Sequence, residues 1–144
     1  MKKIILAMAL AGLSTFAYSQ EKKDKKEGAE VPAVVEKAFQ KAYPGTKAKW
    51  EKEDEKYEAG FKYKGQEMSV LYNSQGVLEE KETEISAKLL PAGVTSYIAK
   101  NKLGKIKEAA KIVKADGTIL YEAEVDGGDA LFNTKGEFVK LQKD

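Results

Sequence analysis

Apolar positions along the chain twice change from a three-and-four spacing to strict alternation, and each change marks a passage from helix to strand. Val31, Val34, Val35, Ala38, Phe39 and Ala42 share one helical stripe, with Glu36, Lys37, Gln40 and Lys41 on the other. Pro32 stands in the first turn, where its missing N–H costs nothing, and Pro44-Gly45 ends the helix. Tyr57, Ala59, Phe61 and Tyr63 then alternate with Glu58, Gly60, Lys62 and Lys64, the signature of a half-buried strand. The pattern restarts behind Pro91. Leu90, Val94, Tyr97 and Ile98 form a second helical stripe closed by Gly104, and Tyr121, Ala123 and Val125 alternate with Glu122 and Glu124. A shorter strand is predicted ahead of each alternating run, carrying Ala48 and Trp50 in the first half and Ile106, Ala110 and Ile112 in the second.

The landmarks repeat in order. Val31-Pro32-Ala33 returns as Leu90-Pro91-Ala92 and Gly45 as Gly104, both 59 positions on. Tyr57-Glu58-Ala59 returns as Tyr121-Glu122-Ala123, and Leu71-Tyr72-Asn73-Ser74-Gln75-Gly76 as Leu131-Phe132-Asn133-Thr134-Lys135-Gly136, the latter 60 positions on. Two copies of one helix-plus-four-strand unit follow, over 31–86 and 87–144. Each Asn-x-x-Gly segment predicts a hairpin loop closed by a left-handed glycine, which places Tyr72 opposite Leu78 and Phe132 opposite Phe138. Asp116-Gly117 predicts a further tight hairpin. The first copy has 14 steps from Ala59 to Asn73 and the second has 10 from Ala123 to Asn133. The even difference keeps every side chain on its original face.

Parity therefore sorts the strands into two faces. Tyr57, Ala59, Phe61, Tyr72, Leu78, Tyr121, Ala123, Phe132 and Phe138 form the larger, more regular set and are expected beneath the helices. The opposite face is expected to carry an apolar centre, Leu71, Leu131 and Val139, rimmed by Glu58, Lys62, Glu122 and Glu124. That is the anatomy of a protein-binding patch. On this reading Leu131→Asp weakens partner binding or self-association at little cost in stability, whereas Phe132→Asp unfolds the protein.

Upstream of the first copy lies a different kind of sequence. Lys2-Lys3, the apolar run Ile4–Leu13 and the Ala17-x-Ser19 ending follow the order of a secretory leader over 1–19, with cleavage expected before Gln20. The run is too short for a mature membrane span. Residues 20–30 read as a charged, solvated tether. Loss of Lys2 and Lys3 would leave 23 lysines against 23 acids. A formally neutral chain with interspersed charges argues against nucleic acid as partner. With no cysteine to carry a lipid, the exported chain is expected in the periplasm or outside the cell, without stable membrane insertion.

Composition narrows the chemistry. The 144 residues include no His and no Cys, and all 25 basic residues are lysine. Imidazole bases, thiol nucleophiles, thiolate–zinc sites and disulfides are thereby excluded. Asp126-Gly127-Gly128-Asp129 offers two carboxylates but lacks the spaced ligands of a calcium loop, so it reads as a polar hairpin. Glu79, Glu80, Glu82 and Glu84 alternate along one strand with Lys81 among them, which reads as a solvated edge or face. Trp50, the one tryptophan, reads as a core anchor. No cofactor or metal is called for, and the serines have no histidine to activate them.

A helix opened by [VL]-P-A, a Y-E-A strand and an L-[FY]-N-x-x-G hairpin, all duplicated behind a leader, resembles the PepSY-like exported proteins of Bacteroidetes-type bacteria. The resemblance covers 31–144. It implies an α+β fold similar to the β-lactamase inhibitor protein, with two tandem helix-plus-four-strand repeats and an antiparallel sheet bearing its helices on one face. It also implies a non-enzymatic, exported binding module that works by protein–protein contact through the open sheet face, as an inhibitor grips an enzyme; an envelope enzyme is one class of partner it suggests. The alternative is a periplasmic carrier of a small ligand or ion.

Overall fold

The computed structural model describes residues 26–27 and 30–143. The leader expected over 1–19, and tether positions 20–25 and 28–29, lie outside the described residues. The elements run β1 (Lys26–Glu27), α1 (Ala33–Ala42), β2 (Lys49–Glu53), β3 (Lys56–Tyr63), β4 (Gln66–Asn73), β5 (Leu78–Ile85), α2 (Val94–Lys100), β6 (Glu108–Lys114), β7 (Ile119–Val125), β8 (Gly128–Phe132) and β9 (Phe138–Gln142). Every strand pairs antiparallel with its neighbours in chain order, giving one nine-stranded sheet. The fold is α+β, and β5 against β6 is the seam that joins the two repeats. Within the predicted tether, Lys26 and Glu27 pair with Lys52 and Glu51 as a short edge strand.

Both helices serve the same side of the sheet. Val35 and Phe39 of α1 pack on Tyr57, Ala59, Phe61, Met68, Val70 and Tyr72. In the second repeat Val94 and Ile98 of α2 pack on Ala123, Val125, Ala130 and Phe132. Aromatic edges lock the first cluster: Phe39 meets Trp50 at 5.4 Å and Phe61 at 4.9 Å between ring centroids. In the second, Tyr97 stacks on Phe138 at 4.7 Å and meets Phe132 at 5.6 Å. Such pairs add to the burial of their ring area. Trp50 is the partly buried core residue that the sequence suggests.

The asparagine hairpins form as expected, with Tyr72 paired to Leu78 and Phe132 to Phe138. Asn73 Oδ1 accepts from the N–H groups of Gln75 and Val77, and Asn133 Oδ1 accepts from those of Lys135 and Glu137. Gly76 and Gly136 have φ of 77° and 78°, the left-handed region that only glycine enters freely. They have a second role that spacing does not reveal. A β-carbon on Gly76 would lie 2.8 Å from the Val34 carbonyl oxygen, and one on Gly136 would collide with the Ala92 carbonyl. Each hairpin thus docks against the start of its own repeat's helix, and the glycine is the gap that admits that backbone.

Directly after each hairpin the ladder shifts, between Leu71 and Tyr72 and again between Leu131 and Phe132. The extra residue is Glu79 in β5 and Val139 in β9. The bulge corrects the expected patch: Val139 is 49% exposed, and Lys140 rather than Val139 stands opposite Leu131. A second correction concerns β6. Ala109 pairs with Ala123 of the helix face, so Ala110 and Ile112 point away from the helices, while Ile106 packs on the helix-side cluster. Strand β6 is central and apolar on both faces, a situation in which alternation alone does not tell the faces apart.

Candidate functional site

On the face away from the helices the register lines side chains into cross-strand rows. One row runs Glu58, Leu71, Glu80, Lys114; the next Ser69, Glu82, Ile112, Leu120; the third Ala110, Glu122, Leu131, Lys140; and the last Glu108, Glu124, Asp129, Gln142. Neighbours within a row have β-carbons about 4.5–5.5 Å apart, close enough for one charge to act on the next. Leu71, Ile112 and Leu131 form a buried cluster with Leu120 against it, and all four belong to strands. Both helices place their buried residues in the clusters on the opposite side.

The residues proposed for a binding face do share this side, but their roles differ from the expected ones. Leu71 and Leu131 are 0% and 4% exposed, so they are seated in the surface rather than raised from it. Glu58 and Glu122 are buried among them instead of forming a rim. Lys62 and Glu124 do stand at the margin, Lys62 paired with Glu67 at 3.4 Å and Glu124 with Lys107 at 4.0 Å. Glu80 and Glu82 overturn the solvated-edge reading at their own positions, while Glu84 is exposed as that reading expects and Glu79 is half-buried. Strand β5 is central, not an edge, and Glu82 is 1% exposed. The presumption that glutamates in alternation with lysine lie in water fails because β5 is paired on both sides.

Five buried carboxylates, Glu58, Glu80, Glu82, Glu122 and Asp129, therefore share one face with a buried serine, Ser69. Burial pushes Glu82 well above the usual carboxylate range, and Glu122, Glu58, Glu80 and Asp129 push it the same way. Glu122 is pushed up to about 8 by burial and by Asp129, Glu80, Glu124 and Glu58. Glu80 is raised less freely: burial lifts it, while Lys114, Lys140 and Lys56 pull it down. Its contact with Lys114 is 3.9 Å. Glu79, the bulged residue, pairs with Lys56 instead. Lys140 is itself lowered by burial and by Lys114. Burial and like charge thus favour the protonated form of Glu82 and Glu122 at the centre of this face.

Two polar atoms in this field, Ser69 Oγ and Glu82 Oε2, are buried without a hydrogen-bond partner among the described residues. An orphaned buried polar atom costs on the order of 1–3 kcal/mol. No group of three or more acids among the described residues converges as a metal site. Asp126 and Asp129 separate: Asp129 joins the acidic face, and Asp126 sits 3.3 Å from the Lys107 ammonium. The residues that spacing missed are Ser69, Glu80, Glu82, Asp129 and Ile112. The signal that could have found them is register, since counting back from the Tyr72–Leu78 pair through one bulge sets Glu82 opposite Ser69.

A family profile described as beta-lactamase-inhibitor-like, PepSY-like matches residues 18–80 and again 77–140. The chain belongs to the PepSY-like family. One match falls on each half of the chain, the second starting at residue 77, just ahead of β5. Solved structures share the fold. A candidate periplasmic protein from Bacteroides eggerthii is 21% identical with a TM-score of 0.70, over 80% of this chain and 90% of that one. A DUF2874 family protein from Bacteroides uniformis is 20% identical with a TM-score of 0.68, over 79% and 90%. A BLIP-like protein from Bacteroides fragilis is 20% identical with a TM-score of 0.62, over 81% and 89%. No curated protein matches. No helix among the described residues is long and apolar enough to cross a membrane.

Proposed function

We propose that this PepSY-like chain is an exported, non-enzymatic binding module that engages a protein partner through the sheet face turned away from its helices. One observation carries the reading. The helix face already supplies a packed core to each repeat, yet the other face buries, beside its apolar cluster, five carboxylates and two orphaned polar atoms whose burial weakens the fold. Buried acids of like charge weaken a fold, so a surface that keeps them is better explained by recognition than by stability. The family's inhibitor-like description and the BLIP-like neighbour support contact with a protein. The candidate periplasmic relative and the secretory leader support export.

The test compares two variants of the exported protein in capture from an envelope extract. Leu131→Ala alters the acidic face, and Val34→Ser alters an exposed position on α1. A partner held by the parent and by Val34→Ser but lost with Leu131→Ala is the expected result, with circular dichroism showing both variants folded. Equal retention by both variants places binding elsewhere and ends this reading.

A further inference from the structure

The face proposed for binding also has a chemistry that selects its occupant. Glu82 lies centrally, with Ser69 opposite it on β4 and Ile112 opposite it on β6. The largest charge influences on Glu82 and on Glu122 are other carboxylates. Glu80 differs, since Lys114 and Lys140 attend it. The orphaned Ser69 Oγ is an independent sign of a missing partner: the residue is 2% exposed, it shares the row with Glu82, and its oxygen has no hydrogen bond among the described residues. A hydroxyl and a carboxyl oxygen, both buried and both without a hydrogen-bond partner among the described residues, mark a polar site left open to an outside group.

We infer that this site receives the guanidinium of an arginine from the partner protein, held by Glu82 and Ser69, which stand opposite each other on β5 and β4, with Glu122 on the same face. The inference rests on the reading that a protein binds this face and names what that protein presents there. A compact dication does not suit the site, because the acids are spread over separate cross-strand rows and no three of them converge. A long side chain with an apolar stem and a cationic head does, since arginine and lysine bury their stems along apolar surface. Arginine is favoured over lysine. Its planar fork carries five donors, enough to meet a carboxylate and a hydroxyl at once, and it sheds water more readily than an ammonium. The chain holds no arginine of its own, so the guanidinium comes from outside.

Protons give the inference a direction that an apolar occupant would reverse. The acids on the face of the seat are Glu58 from β3, Glu80, Glu82 and Glu84 from β5, Glu108 from β6, Glu122 and Glu124 from β7 and Asp129 from β8. The bases are Lys114 from β6, Lys140 from β9 and, acting on Glu80, Lys56 from β3. An arginine needs the central acids ionised, so it binds more tightly as pH rises and releases protons. A purely apolar segment needs them neutral and binds more tightly as pH falls.

The probes are acetyl-Leu-Arg-Leu-amide and its citrulline counterpart, the neutral isostere of arginine, titrated into the exported protein and read by amide chemical shifts. At pH 8 the arginine peptide is expected to shift the amides of residues 69, 82 and 122 at least tenfold more tightly than the citrulline peptide. Its affinity should fall severalfold at pH 6. Glu82→Gln with Glu122→Gln should bring the preference for arginine below twofold. Equal binding of the two peptides on this face overturns the cation while leaving the face as the binding surface. Failure of both peptides to shift these amides overturns the inference, and the fate of the broader reading is then decided separately by the Leu131→Ala capture experiment.

Discussion

The two faces of this sheet are made by the same strands and the same alternation, but they meet opposite demands. Beneath the helices, Phe39, Phe61, Tyr72 and Phe132 interlock with apolar neighbours, and each burial strengthens the fold. On the other face, Leu71, Ile112 and Leu131 share their rows with Glu58, Glu80, Glu82 and Glu122, and burial there removes charge from water without a matching gain. A β-strand offers one backbone to both faces, so a sheet can stabilise itself on one side and use that stability to hold an unfavourable constellation on the other. In a fold whose net stability is on the order of 5–15 kcal/mol, such a constellation is a large fraction of the whole.

The comparison breaks most sharply through a core aromatic. Phe132 is fully buried under α2 and meets Tyr97 and Phe138, so Phe132→Ala is expected to cost about 3–5 kcal/mol. Urea midpoints should show that cost at pH 5 and pH 8 alike, because no titrating group is involved. Leu131, its neighbour in sequence, belongs to the other face, where substitutions should carry a pH dependence. If the two positions respond alike at both pH values, the division between faces is wrong.

Gly136→Val comes next. The left-handed conformation alone costs on the order of 1–3 kcal/mol for a β-branched residue. A β-carbon there also collides with the Ala92 carbonyl, so the hairpin must lift from the start of α2 and the total should reach the top of that range or exceed it. Gly76→Val should cost less, since its β-carbon would lie 2.8 Å from the Val34 oxygen and a smaller shift relieves it. Equal midpoints for Gly136→Val and the parent would sink the docking of hairpin on helix.

The acidic face should respond with the opposite sign. Glu122 moves from an ordinary value of 4.5 up to about 8 on folding, and Glu82 also rises. A carboxyl raised in the folded state contributes stability that is fully present below its unfolded pKa and is lost as pH climbs through its folded one. The free protein should therefore weaken between about pH 4.5 and pH 8, the interval set by Glu122. Glu82→Gln with Glu122→Gln should leave stability nearly unchanged at pH 4 and raise it by on the order of 2–4 kcal/mol at pH 8. A double variant that is less stable than the parent at pH 8 would show these acids to be paired by something other than each other.

Much of the architecture was readable before any coordinates because it rests on local rules. Helical spacing, the Pro and Gly punctuation and the two Asn-x-x-Gly hairpins gave the repeats, and parity gave the two faces. The content of the second face was only half readable. Leu71, Leu131, Glu58 and Glu122 do share it, but all four are buried, where parity suggests an apolar centre with a charged rim. Glu80 and Glu82 read as solvated because they alternate along one strand with Lys81 among them. Only the β5–β6 pairing makes that strand central, and a long-range pairing leaves no mark in the composition of either strand. Val139 was misassigned for a smaller reason, a bulge of one residue that alternation does not record.

The smallest expected effect refines the acidic face from within. Lys114 lies 3.9 Å from Glu80 and is the largest influence holding that carboxyl down against burial. Lys114 is itself partly exposed, so solvent and salt screen the pair and its worth should be about 0.5–1 kcal/mol at most. Lys114→Met lets the folded-state pKa of Glu80 rise further above its unfolded value, which enlarges the stability lost as pH increases. The variant should match the parent at pH 4, where Glu80 is protonated in both folded and unfolded chains, and fall below it at pH 8. Glu80→Gln supplies the control, because with no charge to hold at position 80 the lysine substitution should cost nearly the same at both pH values. A double-mutant cycle that gives no coupling at pH 8 would mean that Lys114 does not stabilise the Glu80 carboxylate, and that Glu80 titrates with Glu82 and Glu122 as one group.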